Sequence, residues 1–292
     1  MKSKFSFILI LSFFLTQALF GQENEPALAK VHYKFKHIND TTEKDKYHDE
    51  ETVLYLGQHS SYYTSYSNKR MEEQLSKQID NPAFDGNLVV KGVGARSPES
   101  YYSVPAKKFF QMIYGIGGNE RYAIDEEFPA LDWEIAEDSR EIGGYTCQKA
   151  TVHFKGRDYT AWFTTEIPFQ AGPWKLQGLP GLILEASDSK DEVVFQYAGF
   201  DKLIEQNLLV EVPKGAMKAR MVDLERKIKA YNDNPQAYFK AREQSGVASG
   251  SFLRGSSSDS PLSKLDPAKI KSISVEKTGM QKSKVVNNPI EL

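Results

Sequence analysis

Histidines are the first residues to consider for chemistry in this chain, because imidazole binds metals and transfers protons near neutral pH. The five histidines form no His-x-x-x-His or His-Glu-x-x-His pattern. Several polar residues crowd one charged stretch that could hold a divalent ion weakly: His37, Asp40, Glu43, Asp45, His48 and Asp49. We interpret this stretch as a solvated loop instead, and we predict no metal site and no cofactor.

Nucleophilic and carboxylate catalysis have no distinctive signature either. A serine hydrolase of the nucleophile-elbow kind needs Gly-x-Ser-x-Gly, which is absent. The carboxylates around Asp125 and Asp132 are numerous enough to include a glycosidase pair, but abundance alone indicates nothing. We therefore expect no catalytic residue, and an uncharacterised hydrolase is the least favoured alternative.

One apolar segment is more informative. It contains Trp162, Phe163, Phe169, Trp174, Leu176 and the run Leu179–Leu184. The hexapeptide Gly178–Ile183 predicts a type II turn, in which Pro180 presets φ and Gly181 takes the φ > 0 of the next position. Two interpretations are open: a core with unusual turns, or an apolar site on the concave face of a curved sheet. The residues predicted to contact a ligand or partner at such a site are Trp162, Phe163, Trp174, Leu179, Pro180 and Leu182. The residues predicted to shape the turn are Gly178, Pro180 and Gly181.

The longer stretch around this segment resembles a known family. Its motifs are Gly144–Ala150, Phe154–Arg157, Ala161–Phe163, Gly172-Pro173 and the hexapeptide itself. In order and spacing they resemble the GLPGLI family, secreted proteins of Gram-negative bacteria with no established biochemical function. The resemblance covers roughly Ala29 to Phe200, and the closing Asn288–Leu292 resembles the family's usual ending. It implies a fold similar to LolA-type periplasmic carriers, whose curved antiparallel sheet forms an open half-barrel.

The N-terminus predicts export. Lys2 and Lys4 precede an apolar run from Phe5 to Leu15, as in a secretory signal peptide. The run is shorter than the about 20 residues that a membrane span needs. We expect cleavage after Gly21, with Ala18 as another boundary and an uncleaved anchor as the alternative. Because no Cys stands directly after the run, we expect a periplasmic or secreted protein without a lipid anchor and without an integral membrane segment.

Composition adds two constraints. Cys147 is the single cysteine, so no intramolecular disulfide can form. We interpret it as a small buried hydrophobe, with a reactive thiol as the alternative.

The net charge of −2 conceals an uneven distribution of charge along the chain. Residues 214–292 hold 15 basic and 8 acidic residues, and the rest of the chain holds 22 basic and 31 acidic residues. The basic end could contact an acidic polymer or membrane surface, or be a solvated helix with a mobile end. We expect no nucleic-acid partner for an exported chain.

Short strand-like runs punctuated by Gly and Pro predict a mainly β (α+β) fold, with an antiparallel sheet rather than βαβ units. A helix is predicted at Lys69–Ile79, after the first hairpin, and helical spacing returns between Ala216 and Glu243. The predicted division is a signal peptide at 1–21, a half-barrel domain at 22–213, a helical extension at 214–244 and a flexible tail at 245–292 with a short terminal segment.

The expected function is non-catalytic periplasmic binding of an apolar ligand or an envelope protein partner. The alternative is an accessory protein of an outer-membrane transport or assembly system.

Overall fold

Runs of β-branched and aromatic residues give this chain a strand-rich fold, seen here in a computed structural model. The structure describes residues 24–91, 99–104, 106–116, 120–204, 208–244, 270–276 and 285–291. The predicted signal peptide and the Ser/Gly-rich stretch at 245–263 lie outside these residues. Within the described residues strands greatly outweigh helices, which confirms the prediction of a mainly β protein.

The described residues form three helices and sixteen strands. The helices are α1 (Ser67–Ile79), α2 (Met221–Asp233) and α3 (Pro235–Gln244). The strands of the first half are β1 (Glu25–Pro26), β2 (Ala29–His37), β3 (His48–Leu56), β4 (Ser60–Ser65), β5 (Asn87–Lys91), β6 (Glu99–Ser103), β7 (Lys108–Tyr114) and β8 (Arg121–Glu126). Those that follow are β9 (Glu134–Ile142), β10 (Tyr145–Phe154), β11 (Arg157–Thr164), β12 (Leu182–Asp188), β13 (Val193–Lys202), β14 (Leu209–Val210), β15 (Met217–Ala219) and β16 (Ser272–Glu276).

Twelve of the strands form one large curved, unclosed sheet, as predicted. Their order is β15-β8-β7-β6-β4-β3-β2-β13-β12-β11-β10-β9, and every neighbouring pair is antiparallel except β15 with β8. The connection between β10 and β11 is a two-residue hairpin loop, because Lys155 and Gly156 both have positive φ. The charged stretch from His37 to Asp49, interpreted from the sequence as a solvated loop, is a shorter loop than expected, because β2 and β3 remain paired as far as His37 and His48.

The period-2 pattern of the strands decides which face of the sheet is buried. In β2, Val31, Tyr33 and Phe35 are buried, whereas Lys34 between them is exposed. The buried face carries one large core cluster that joins β2 with β10 to β13 and with the connection between β11 and β12, residues 165–181. This long connection therefore packs on the sheet, as part of the core.

The elements outside the large sheet pack around it. Helix α1 confirms the predicted helix and buries Leu75 against Leu88 and Val90 of β5. Helix α2 lies in the predicted helical extension and buries Leu224 against Tyr122 and Ile124. Two described parts of the predicted tail also carry contacts, since β16 pairs with β5 and residues 285–291 lie against the large sheet. The predicted domain boundaries stay predictions.

Candidate functional site

The hexapeptide turn differs from the predicted one. The amide of Gly181 donates a 2.8 Å hydrogen bond to the carbonyl of Leu179, which is the i→i+2 pattern of a γ-turn centred on Pro180. Positive φ occurs at Gly178 (+91°), whereas Gly181 does not have it. The prediction of a type II turn with φ > 0 at Gly181 is therefore wrong. The close approach of the Thr164 backbone explains instead why residue 181 has no side chain.

The six predicted contact residues separate into three groups. Phe163, Trp174, Leu179 and Leu182 are buried in the main core. Trp162 is half-buried, under the guanidinium of Arg140 at 4.2 Å from the ring centroid. Pro180 is exposed. Burial of the first group supports the core interpretation of the hexapeptide, and the contact role of the six residues stays a prediction.

Hydrogen bonds fix residues 165–181 to distant parts of the sheet. The Ser100 hydroxyl donates to the carbonyl of Trp174 at 2.9 Å, and the Trp133 indole donates to the carbonyl of Gln177 at 2.7 Å. At Trp174 the backbone has φ +56°, a conformation that a bulky residue adopts only where its surroundings impose it. The connection therefore holds Trp174 and its neighbour Lys175 in one defined orientation.

Lys175 is the residue of this connection that the sequence interpretation missed. Its side chain is 2% exposed, and Nζ lies 2.7 Å from Glu126 Oε2 and 2.5 Å from Glu291 Oε1. The ammonium also lies 5.4 Å from the ring centroid of Phe109. A buried lysine is costly unless it is paired, so its two carboxylate partners stabilise it. The sequence signal was one charged residue between Trp174 and Leu176 in an otherwise apolar stretch.

A cleft of about 390 Å³ opens beside Lys175. It is lined by Glu126, Glu127, Phe128, Pro129, Ala130, Phe154, Lys155 and Lys175. Its walls thus combine two aromatic rings and a proline with two ammonium groups and two carboxylates. We call this space the Lys175 cleft.

Among the described residues, eight buried side-chain polar atoms have no hydrogen-bond partner, and three of them belong to aromatic rings in the region of the Lys175 cleft: Trp174 Nε1, Tyr159 Oη and Tyr102 Oη. The Trp174 ring lies 5.8 Å from that of Phe154 and 6.1 Å from that of Tyr159, and the Tyr102 ring lies 4.4 Å from that of Phe128. Burial raises the pKa of both tyrosines, which therefore stay protonated and able to donate. Unpaired buried donors are rare in proteins, but none of these three residues lines the Lys175 cleft.

Glu291 closes one side of the Lys175 cleft. Its carboxylate lies between two ammonium groups, since Oε2 is 3.1 Å from Lys155 Nζ and Oε1 is in contact with Lys175 Nζ. Burial acts to raise the pKa of Glu291, but the hydrogen bonds and charges of Lys175 and Lys155 outweigh it and lower that pKa. The two lysines thus form a receptor for a carboxylate, and the chain's own terminal segment occupies it.

The histidines and the cysteine lie apart from this cleft. His37 Nε2 lies 2.8 Å from the carbonyl of Asn288, and His48 and His32 each contact a neighbouring glutamate. Within the described residues no group of three or more His, Cys, Asp or Glu side chains is arranged to hold a metal. Cys147 is fully buried, and burial raises the pKa of its thiol to about 11. This agrees with the interpretation of Cys147 as a small hydrophobe.

The comparisons with known proteins connect this region to one family. Residues 153–185 match the family described as a protein of unknown function (Porph_ging), a family of uncharacterised bacterial proteins. The matched segment includes Arg157, Trp174, Lys175 and the hexapeptide. No curated protein matches the chain in sequence.

Solved structures give only distant similarity. PNGF-II, in its P21 crystal form, is 12% identical over 68% of this chain and 32% of its own, with a TM-score of 0.45. The chain thus spans about a third of the length of PNGF-II. An uncharacterised conserved protein from Thermus thermophilus is 9% identical over 66% of this chain and 91% of its own, with a TM-score of 0.33. Among the helices that the structure describes, none is long and apolar enough to cross a membrane.

Proposed function

We propose that this chain is an exported, non-catalytic binding protein of the GLPGLI type, and that its ligand is an apolar molecule with a carboxylate. The observation that carries the proposal is the position of Lys175 Nζ, buried at the end of an aromatic cleft and paired with a carboxylate from the far end of the chain. A ligand carboxylate that replaces Glu291 meets both Lys155 and Lys175.

The cleft walls supply the apolar half of the recognition. Phe128, Pro129 and Phe154 offer aromatic and aliphatic surface next to the lysines. The cleft volume of about 390 Å³ lies within the usual range for small-molecule sites, and such sites combine mostly apolar walls with a few placed polar groups.

The test compares two probes that differ only in the head group, decanoate and decanol, by isothermal titration calorimetry. We expect decanoate to bind and decanol to bind at least about tenfold more weakly, because one charge-assisted contact of about 1.4 kcal/mol distinguishes them. The Glu291→Gln variant removes the competing charge and should bind decanoate more tightly than the wild type. Asp233→Asn, on an exposed part of α2, is the matched control.

Equal binding of both probes, or a Glu291→Gln variant that binds decanoate no better, contradicts the proposal.

Export is tested separately by N-terminal sequencing of the protein from its own periplasm. We expect a sequence that begins near Gln22, because the apolar run is followed by small and polar residues. Detection of Met1 in a membrane fraction would overturn that part.

A second candidate is an accessory protein that docks on an envelope partner through Trp162. The observation that favours it is a cleft of about 340 Å³ around Trp162, Arg140 and Glu185, next to β9, the last strand of the large sheet. A photo-crosslinking residue in place of Trp162 should then capture one defined envelope protein in intact cells. The same residue in place of Lys34, which is exposed on β2, should not.

A further inference from the structure

The terminal segment, residues 285–291, occupies a socket built by residues that are far away in the sequence. We call this the tail socket, and its walls are His37, Ile38, Asn39, Thr41, Arg157 and Glu192. Backbone contacts hold the segment at its start, since the amides of Asn287 and Asn288 both donate to the carbonyl of Asn39, at 3.1 and 3.2 Å. The hydrogen bonds between the terminal segment and the tail socket thus begin at Asn287 and Asn288.

The Arg157 guanidinium donates hydrogen bonds both to the backbone of the terminal segment and to the Asn288 side chain. Its Nη2 donates to Asn288 Oδ1 at 2.6 Å and to the Pro289 carbonyl at 2.7 Å, while Nε donates to the Ile290 carbonyl at 3.2 Å. The opposite side of the guanidinium is paired with Asp188 at 2.6 Å, and both side chains are 2% exposed. Because Asp188 fixes the planar guanidinium, its remaining N–H donors point in defined directions. Such fixed donors favour one specific arrangement of acceptors in the bound segment.

The socket selects asparagine at position 288. This residue is 4% exposed, and its amide nitrogen donates to the Ile38 carbonyl at 2.6 Å and to Glu192 Oε2 at 3.0 Å, while its amide oxygen accepts from Arg157. An aspartate there has no donor for either partner, and it places a carboxylate against Glu192. An apolar residue leaves the buried Ile38 carbonyl unpaired and leaves Glu192 with only its longer contact to Arg157, and an unpaired buried group is costly.

Recognition is confined to one end of the terminal segment. Val285 and Val286 are 53% and 68% exposed, whereas Asn288 is buried, Ile290 packs on the main core and Glu291 is held by two lysines. We propose that the tail socket is a sequence-specific peptide-binding site for an Asn-Asn-Pro-Ile-Glu segment. In the intact chain it is filled in cis, and it takes the same segment of a second copy when the cis segment is withdrawn. This inference goes beyond the proposed function. The two share Lys155 and Lys175, which hold Glu291 here and a ligand carboxylate there, and the tests below use no ligand of the Lys175 cleft.

The first test supplies the segment in trans. The receptor is the full chain carrying Asn287→Ala and Asn288→Ala, which weakens its own segment, and the probe is a fluorescent synthetic peptide of residues 284–292. We expect saturable binding by fluorescence anisotropy, and at least about tenfold weaker binding of a peptide with Asn288→Ala. A peptide with Val286→Ala is the matched control and should bind as the parent does. The wild-type chain should bind the parent peptide more weakly, because its own segment competes at a high effective concentration.

The second test uses the unaltered chain, in case the receptor variant does not fold. Hydrogen exchange followed by mass spectrometry compares residues 285–291 with the core strands β2 and β11. We expect the terminal segment to exchange through local opening, faster than those strands, because a separable ligand leaves its site without unfolding of the sheet. Exchange of the segment only together with the core strands overturns the proposal. So does a receptor that binds the parent and Asn288→Ala peptides equally.

Discussion

Gly181 lies directly against the carbonyl of Thr164, so close that a Cβ on residue 181 falls 2.0 Å from that oxygen and 2.7 Å from its carbon. Both are backbone atoms at the point where β11 and β12 pair, Thr164 being opposite Leu182. Neither strand can move away without loss of the pairing. The last glycine of the hexapeptide is therefore required by contact between two strands.

We expect Gly181→Ala to lower the free energy of unfolding by about 2–3 kcal/mol, the range for overpacking a well-packed site. Gly178→Ala is the matched comparison, because φ is +91° there and no atom lies within 4 Å of an added Cβ. The left-handed backbone alone then costs about 1–2 kcal/mol. Urea denaturation of both variants measures the difference, and a larger loss for Gly178→Ala contradicts the contact explanation.

Arg157 gives a second prediction, on the link between the sheet and the terminal segment. Arg157→Lys keeps the charge but loses the fork that contacts Asn288, Pro289 and Ile290, so we expect a loss of about 2 kcal/mol or more in unfolding free energy. Arg220→Lys is the control, because the Arg220 side chain is 76% exposed. It should change stability by less than about 0.5 kcal/mol. Equal effects of the two changes in urea denaturation contradict the role of Arg157.

Local patterns predicted the elements well where one face of a strand or helix is buried. Val31, Tyr33 and Phe35 alternate with polar residues in β2, as a half-buried strand requires, and Lys155-Gly156 forms the hairpin loop after β10. These signals are local, because side-chain period and turn chemistry depend on neighbouring residues. The helix predicted at Lys69–Ile79 begins two residues earlier, at Ser67, within the usual uncertainty of helix ends.

The candidate site could not be predicted in the same way. Lys175 meets Glu126 and Glu291, and Arg157 meets Asn288, only after the sheet has formed. In the sequence Arg157 is one residue of a Lys-Gly-Arg-Asp run typical of a hairpin turn, and nothing local indicates that its side chain is buried. The type II turn failed for a related reason, since a Pro-Gly pair is compatible with several turns and the approach of Thr164 decides between them.

Acidification gives a prediction with a defined sign. Burial lowers the pKa of His37 and of His32 below the ordinary value of 6.5, so the folded chain prefers the neutral rings. Their contribution to stability is complete above pH 6.5 and is lost as the pH falls from 6.5 through the lowered values. Glu291, whose pKa is lowered from 4.5, adds a further loss below pH 4.5 as its carboxylate is protonated.

Chemical denaturation between about pH 7 and pH 4 measures this dependence. We expect the unfolding free energy to decrease from about pH 6.5 downward, and His37→Gln to decrease less over the upper part of the range. Glu291→Gln should remove part of the loss below pH 4.5 and leave the upper part unchanged. An unfolding free energy that stays constant or rises as the pH falls from about 7 to 5 would contradict the stabilising role of the neutral histidines.

Cys147 gives the last prediction, on thiol reactivity. Its side chain is fully buried in β10, and burial raises the pKa of the thiol to about 11. Only the thiolate attacks a disulfide reagent, and at pH 8 about a thousandth of a thiol with that pKa is ionised. We expect 5,5′-dithiobis-(2-nitrobenzoic acid) to label the native chain at a rate set by opening of the sheet, and to label the urea-unfolded chain at once.

The control is the double variant Cys147→Ala with Ser139→Cys, which moves the thiol to an exposed position opposite Gln148 on the neighbouring strand. That variant should react rapidly while folded. Native Cys147 labelled as fast as the control would mean that the thiol is accessible, and the interpretation of Cys147 as a packed core residue would then be wrong.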